Sequence, residues 1–123
     1  METTNGIYNN SLWNLLAPQS LYVWQRARIA NALAHSGQEW VEMFARYNSG
    51  TYNNQWMVLN YNLFQPNQPL PDGLLWILEQ IPGNCSYEDV TGILERGHWP
   101  SYNVAAIPFI YNASGTAQQA EIH

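Results

Sequence analysis

The sequence predicts an α+β domain in which a helical hairpin packs on antiparallel strands. Three observations carry this expectation. Apolar residues recur at helical spacing from Val23 to Ala34 and again from Trp40 to Phe44, two aliphatic and aromatic runs follow at Gln55–Tyr61 and Leu74–Gly83, and helices and strands are grouped rather than alternated along the chain.

At the start, Thr3 and Thr4 precede the Asn5-Gly6 pair, which reads as the end of a strand leaving its sheet. From Pro18 to His35 the residues Val23, Ala27, Ala30 and Ala34 define one helix, with Pro18 near its start and Gly37 as its stop. Ser36 and Glu39 then form a capping box for a second helix, whose Trp40, Val41 and Phe44 share a face before Asn48 and Gly50 end it. QWMVLNY, from Gln55 to Tyr61, predicts a strand buried on both faces, and the proline-rich FQPNQPLPDG that follows is a loop. LLWILEQIPG predicts a second buried strand closed by Pro82-Gly83. Ser86 with Asp89 is expected to cap a short third helix ending at Gly97. The tail WPSYNVAAIPFIYNASG reads as irregular because prolines interrupt it, and TAQQAEIH as a frayed end.

Two strands and the end of a third do not make a sheet large enough to cover these helices, so residues 1–123 read as a single partial domain. Six Trp on such a unit imply apolar patches of the kind that mark interfaces, although Trp13, Trp24, Trp40, Trp56 and Trp76 fall in or beside predicted elements, where core packing is the default.

Charged residues are only 11% of the chain, against about 25% in an ordinary soluble domain. The four cations are all Arg and the net charge is −5, which leaves a phosphate backbone nothing to bind and argues against a nucleic-acid partner. No apolar run approaches the roughly 18 residues of a membrane span, and METTNGIYNN lacks the basic start and apolar stretch of a signal peptide. One cysteine, Cys85, permits no internal disulfide and no CxxC pair; His35, His98 and His123 are too scattered to propose a metal site, and no cofactor is expected. Sequons at Asn9, Asn84 and Asn112 point toward a secretory route.

Cys85 is the obvious nucleophile, yet no Lys, Arg or His lies within ten residues of it, so a plain thiol is the expected reading. His35 at a helix end and His98 before Trp99-Pro100 read as structural. Glu79 stands inside a buried run and must be paired; an ion pair with an arginine is expected, with a catalytic acid as the other reading. The uncharged block NSGTYNNQWM, Asn48 to Met57, also has two readings. Asn48 and Gly50 suit a left-handed helix-stop, whereas side-chain amides are neutral donors suited to an oxyanion hole.

NSGTYNNQWM, together with ETTNG at the start, LEQIPG, WPSYN at Trp99–Asn103 and YNASG at Tyr111–Gly115, resembles the phospholipase B-like family, relatives of the lamina ancestor protein, over nearly the whole chain and in the same order. The resemblance implies an N-terminal nucleophile hydrolase of αββα architecture, acting on amide or ester bonds in lipids or other substrates, in a lysosomal or secreted setting. It also implies that residues 1–123 are a middle segment of the catalytic domain, whose cysteine nucleophile lies upstream of ETT, so that Cys85 does not inherit the role and the chain alone is inactive. Thr4, Asn53, Asn54 and Asn103 become the candidate site residues, with Asn53, Asn54 and Asn103 as candidates to hold the acyl group or oxyanion, and Asn112 matches a sequon common in the family. The remaining segments of the hydrolase, or another chain, are the implied partners. Asn60 and His98 depart from the pattern, where an acidic residue and a Tyr are expected. Two other readings stand beside this one: a non-catalytic truncated paralogue, and a carbohydrate- or lipid-binding module.

Overall fold

The computed structural model describes residues 1–122, so His123 lies outside the described residues. The chain is α+β, built on a four-stranded antiparallel sheet in the order β1-β2-β3-β4. The strands are β1 (Glu2–Thr4), β2 (Asn54–Leu59), β3 (Leu75–Ile81) and β4 (Asn84–Asp89), and the helices are α1 (Val23–Leu33), α2 (Gly37–Ala45), α3 (Thr91–Leu94), α4 (Pro108–Ala113) and α5 (Thr116–Ile122).

The helical hairpin lies on one face of the sheet. There Val41, Phe44 and Ala30, none with exposed surface, pack with Leu78 of β3 and with Trp56 and Val58 of β2. Trp40 stacks on Phe44 with ring centroids 4.9 Å apart, and Phe44 meets Trp56 at the same distance. On the opposite face Ile77 and Ile81 meet Leu12, Ala105, Ile107 and Ile110, so the sheet carries a core on each side.

α2 starts as expected: Ser36 Oγ accepts from Glu39 N at 3.1 Å, while Glu39 Oε2 reaches one residue further back, to His35 N, at 2.7 Å. α1 is shorter than the predicted Pro18–His35. Leu21 is drawn into a parallel bridge with Asn48, donating its N–H to Tyr47 O at 2.9 Å, so the helix opens only at Val23.

Four expectations are corrected. The predicted helix capped by Ser86 and Asp89 is instead strand β4, in register with β3 from Trp76↔Asp89 to Ile81↔Asn84. Pro82-Gly83 makes the turn, with Gly83 at φ +80° as its second central position requires, and the chain returns along β3 before it can coil. Asp89 does cap, but the following turn: its Oδ1 accepts from Thr91 N at 3.0 Å. The tail is not irregular. Pro108 occupies the first turn of α4, where a missing N–H costs nothing, and Gly115 at φ +85° separates α4 from α5. β2 is buried only at Asn54 and Gln55; from Trp56 onward it is half-buried, because β1 covers it only as far as Glu2↔Trp56. Neither Trp13 nor Trp24 joins the core, at 41% and 64% exposure.

Candidate functional site

β2 enters the sheet through the NSGTYNN turn, which is fastened from several sides. Asn48 donates to Ile81 O at 2.9 Å and accepts from Gly50 N at 2.8 Å, tying the turn to the β3–β4 hairpin. The left-handed positions are Tyr47 (φ +55°), Gly50 (+69°) and Tyr52 (+58°), so Gly50 takes the expected geometry and Asn48 does not. A Cβ on Gly50 would stand 2.5 Å from Leu16 Cδ2 and 3.0 Å from Pro82 Cα, so another residue there would strain the backbone and have to displace Leu16.

The sheet alternates its side chains, so adjacent residues of β2 and β3 serve opposite faces. On the helix face, Gln80 of β3 donates from Nε2 to Thr51 O at 3.1 Å and to Asn53 Oδ1 at 3.0 Å, and accepts from Arg26 at 2.6 Å. Arg26 is 2% exposed and also donates to Leu21 O, Phe44 O (2.7 Å) and Ser49 Oγ (3.1 Å), with its guanidinium 4.4 Å from the Phe44 ring centre. Every acceptor is neutral, and burial lowers its pKa from the ordinary arginine value.

On the other face, Glu79 has no exposed surface. The ion pair expected for it is not what satisfies it: its oxygens accept from Gln55 Nε2 (2.7 Å), Ala106 N (2.7 Å) and Ile107 N (2.9 Å). Gln55 Oε1 in turn accepts from Trp99 Nε1 at 3.0 Å. The backbone donors arrive from the tail, which is why no charged partner is needed.

The four candidate residues come together at the end of β1. Thr4 and Asn54 are register partners, Asn103 Nδ2 donates to Thr4 O at 2.8 Å, and Asn53 O accepts from Asn5 N at 3.0 Å. Ser101 Oγ is hydrogen-bonded to Thr3 Oγ1 beside them. Their amides differ in engagement. Asn53 donates to Gly50 O at 2.8 Å and accepts from Gln80, so both ends of its amide are engaged, one by its own turn and one by β3. Asn103 is exposed at φ +61° and bonded to the backbone. Asn54 has no exposed surface, yet among the described residues neither its Oδ1 nor its Nδ2 makes a hydrogen bond of good geometry; the Tyr52 hydroxyl, bonded to Glu2, lies close enough to its side chain to offset part of the rise that Glu2 gives the tyrosine's pKa, and Asn5, after β1, and the indole N–H of Trp56 are without a partner. Buried amides of this kind are rare and call for a partner.

Cys85 sits opposite Gln80 on the helix face of β4. Burial pushes its thiol up to about 12, against a smaller opposing effect of Arg26, so it stays protonated. It is also two strands from Asn54, roughly 10 Å at ordinary strand spacing. His35 and His98 are exposed, and among the described residues no three His, Cys, Asp or Glu side chains are grouped to hold a metal ion. Beside the block, Tyr22, Trp24, Ala27, Tyr52 and Trp56 line an open apolar groove of about 550 Å³.

Of the sequon residues, Asn84 and Asn112 are exposed, whereas Asn9 donates from Nδ2 to Ala113 O at 3.3 Å and accepts from Ser11. Gln80, Gln55, Arg26, Trp99 and Asn5 were not singled out by sequence reasoning; the signal was polar residues interrupting otherwise apolar runs, as in LLWILEQI.

A family model described as Phospholipase B matches residues 1–123, and the chain belongs to that family. It is 52% identical over 115 residues to Phospholipase B-like protein B of Dictyostelium discoideum, covering 94% of this chain and 20% of that protein. Phospholipase B-like 1 of Bos taurus is 48% identical over 94% of the chain and 21% of its own length, and Phospholipase B of Crotalus adamanteus 45% identical over 100% and 22%. The chain therefore spans about a fifth of the length of these relatives. Among the described residues no helix is long and apolar enough to cross a membrane.

Proposed function

We propose that these residues are a middle segment of the catalytic domain of a hydrolase that cleaves amide or ester bonds, including those of lipids, with an N-terminal cysteine nucleophile contributed from outside this segment. The observation that carries the reading is Asn54: a fully buried amide without a hydrogen bond of good geometry, opposite Thr4 in register and next to Asn53, whose Oδ1 and Nδ2 are both engaged. A neutral donor held in that way suits a developing oxyanion, because it stabilises charge without a proton to lose. Thr4 and Asn103 border the same place, and the protonated Cys85 does not compete for the nucleophile's role. The family membership supports the reaction class, and the αββα reading requires a second sheet from elsewhere in the protein. In the same reading the protein is lysosomal or secreted and carries glycan at Asn112 first and at the exposed Asn84, with Asn9 held by its own hydrogen bonds.

The test is a chimera in which these residues replace their counterpart in a full-length relative such as the bovine protein. Asn54→Ala should lower kcat by about 100- to 1000-fold, as removing an oxyanion donor does. Unchanged hydrolysis after Asn54→Ala, Asn53→Ala and Asn103→Ala would remove the amides from the mechanism. Hydrolysis by the 123-residue chain alone would show that the nucleophile is within it.

A second reading, a non-catalytic segment that binds lipid or sugar or pairs with another chain, is favoured by the groove walled by Tyr22 and Trp24, 65% and 64% exposed. Saturable quenching of its tryptophans by a brominated fatty acid, together with a silent Asn54→Ala chimera, would support that reading over the first.

A further inference from the structure

Glu79 and Gln80 are consecutive residues of β3, both without exposed surface, and they point to opposite faces of the sheet. Each is bonded to a loop far away in sequence. Gln80 holds the turn before β2, through Thr51 O and Asn53 Oδ1. Glu79 holds the segment before α4, through the N–H groups of Ala106 and Ile107 and, by way of Gln55, the indole of Trp99. The first loop delivers Asn53 and Asn54 to the end of β1. The second delivers Ser101 and Asn103 to the same place, where they bond Thr3 and Thr4.

We propose that Glu79 and Gln80 are positioning residues: a two-residue anchor in the most buried strand that fixes, from its two faces, the separation of the two loops flanking β1. The inference that this separation matters to hydrolysis rests on the function proposed above; the anchoring itself does not. Neither residue reaches the end of β1, so neither is catalytic. What makes the arrangement more than packing is its division of labour. A residue that only filled the core would, when changed, loosen both sides of the sheet, whereas each member here holds one loop and has its remaining partner, Arg26 for Gln80 and Gln55 for Glu79, on the same face as that loop.

Hydrogen exchange on the full-length chimera tests the division. Glu79→Gln keeps the size of the side chain but turns one acceptor oxygen into a donor facing the donors of residues 106 and 107. Exchange at Ala106, Ile107 and the 99–103 loop should quicken by about 10- to 100-fold, the factor that losing a hydrogen bond to a carboxylate supplies, with residues 49–53 unchanged. Gln80→Leu, which also takes an acceptor from Arg26, should quicken residues 49–53 and leave Ala106, Ile107 and the 99–103 loop unchanged. Gln55→Ala, which removes the Trp99 arm and one donor to Glu79 but leaves the bonds from Ala106 and Ile107, should loosen residues 99–103 while Ala106 and Ile107 stay protected, and it keeps the test open should the β3 variants unfold. Equal loosening of both loops by either β3 variant, or of neither, overturns the proposal. In the chimera, the kcat losses from Glu79→Gln and Asn103→Ala should be non-additive with KM unchanged; additive losses also overturn it. If Asn54→Ala, Asn53→Ala and Asn103→Ala are all silent while the exchange pattern holds, the hydrolytic reading fails and the anchor stands.

Discussion

Replacing Arg26 by Met should cost the fold about 3 kcal/mol. The aliphatic stem of Met keeps the packing over Phe44, so the change isolates the guanidinium, which binds Leu21 O, Phe44 O, Ser49 Oγ and Gln80 Oε1 from a position 2% exposed. Each buried acceptor left without a donor costs about 1–3 kcal/mol. Ser49 Oγ has other donors and Leu21 O is only part-buried, so Phe44 O and Gln80 Oε1, both buried and left without a donor, dominate, for about 4 kcal/mol between them. Against this stands relief from burying a charge, the same desolvation that lowers the arginine's pKa, which returns about 1 kcal/mol. Urea unfolding followed by tryptophan fluorescence measures the difference: with a slope of about 1–3 kcal/mol per molar, the midpoint should fall by roughly 1.5 M. Arg26→Lys should recover less than half, since one ammonium does not span the fork. A Met variant within about 1 kcal/mol of the parent would refute the reasoning, because the acceptors would then be satisfied some other way.

Cys85 makes stability fall in alkali. Its folded pKa is raised from 9.0 to about 12, so the folded state binds more protons above the unfolded value; stability is whole below about pH 9 and declines from there toward pH 12, by about 2 kcal/mol at pH 10.5. Cys85→Ala should flatten that slope in urea titrations across the range. Asp89 acts in the opposite sense: burial opposes its charge, but hydrogen bonds from Thr91 Oγ1, Thr91 N and Gly73 N outweigh it and hold its pKa below the ordinary 3.8. Its contribution is present above that value and lost as pH falls through the lower folded one, and Asp89→Asn should remove this part of the acid dependence of the thermal midpoint. Gly50→Ala should cost at least about 1–2 kcal/mol in the same unfolding assay, combining a φ of +69° with contacts to Leu16 and Pro82 too close for a Cβ.

How much of this was legible in the sequence depended on where each element drew its signal. β3 was legible because an aliphatic run bounded by Pro-Gly leaves few alternatives, and α2 because Ser36 and Glu39 mark its start. β4 was not, because an edge strand with Tyr87, Glu88 and Asp89 exposed has no apolar signature, and its Ser86 and Asp89 imitate a helix cap. It forms because the turn before it returns the chain to β3. α4 was hidden by Pro108, which breaks a helix in its middle and favours one at its start. At the site, the NSGTYNN block and Glu79 stood out by composition, and the resemblance in five blocks named the family. Which amide is engaged was not legible: Asn53 and Asn54 are neighbours of the same type, and the bonds that distinguish Asn53 come from the shape of its turn, at Gly50 O, and from Gln80, 27 residues away. The same distance hid the partners of Glu79, whose backbone donors lie 27 and 28 residues on.

Arg26 and Glu79 are opposite charges buried in one small domain, and they do not pair. An ion pair would satisfy both with a single contact and hold one layer. Divided between the faces of β3, each is satisfied by neutral groups and holds a different layer: Arg26 joins both hairpin helices to the turn before β2, and Glu79 joins the tail to the sheet. With no partner in common, the two should behave independently, so the stability losses of Arg26→Met and Glu79→Gln should sum in the double variant to within about 0.5 kcal/mol. A coupling above about 1 kcal/mol would mean that the charges act on one another through the strand, and that the two networks are one.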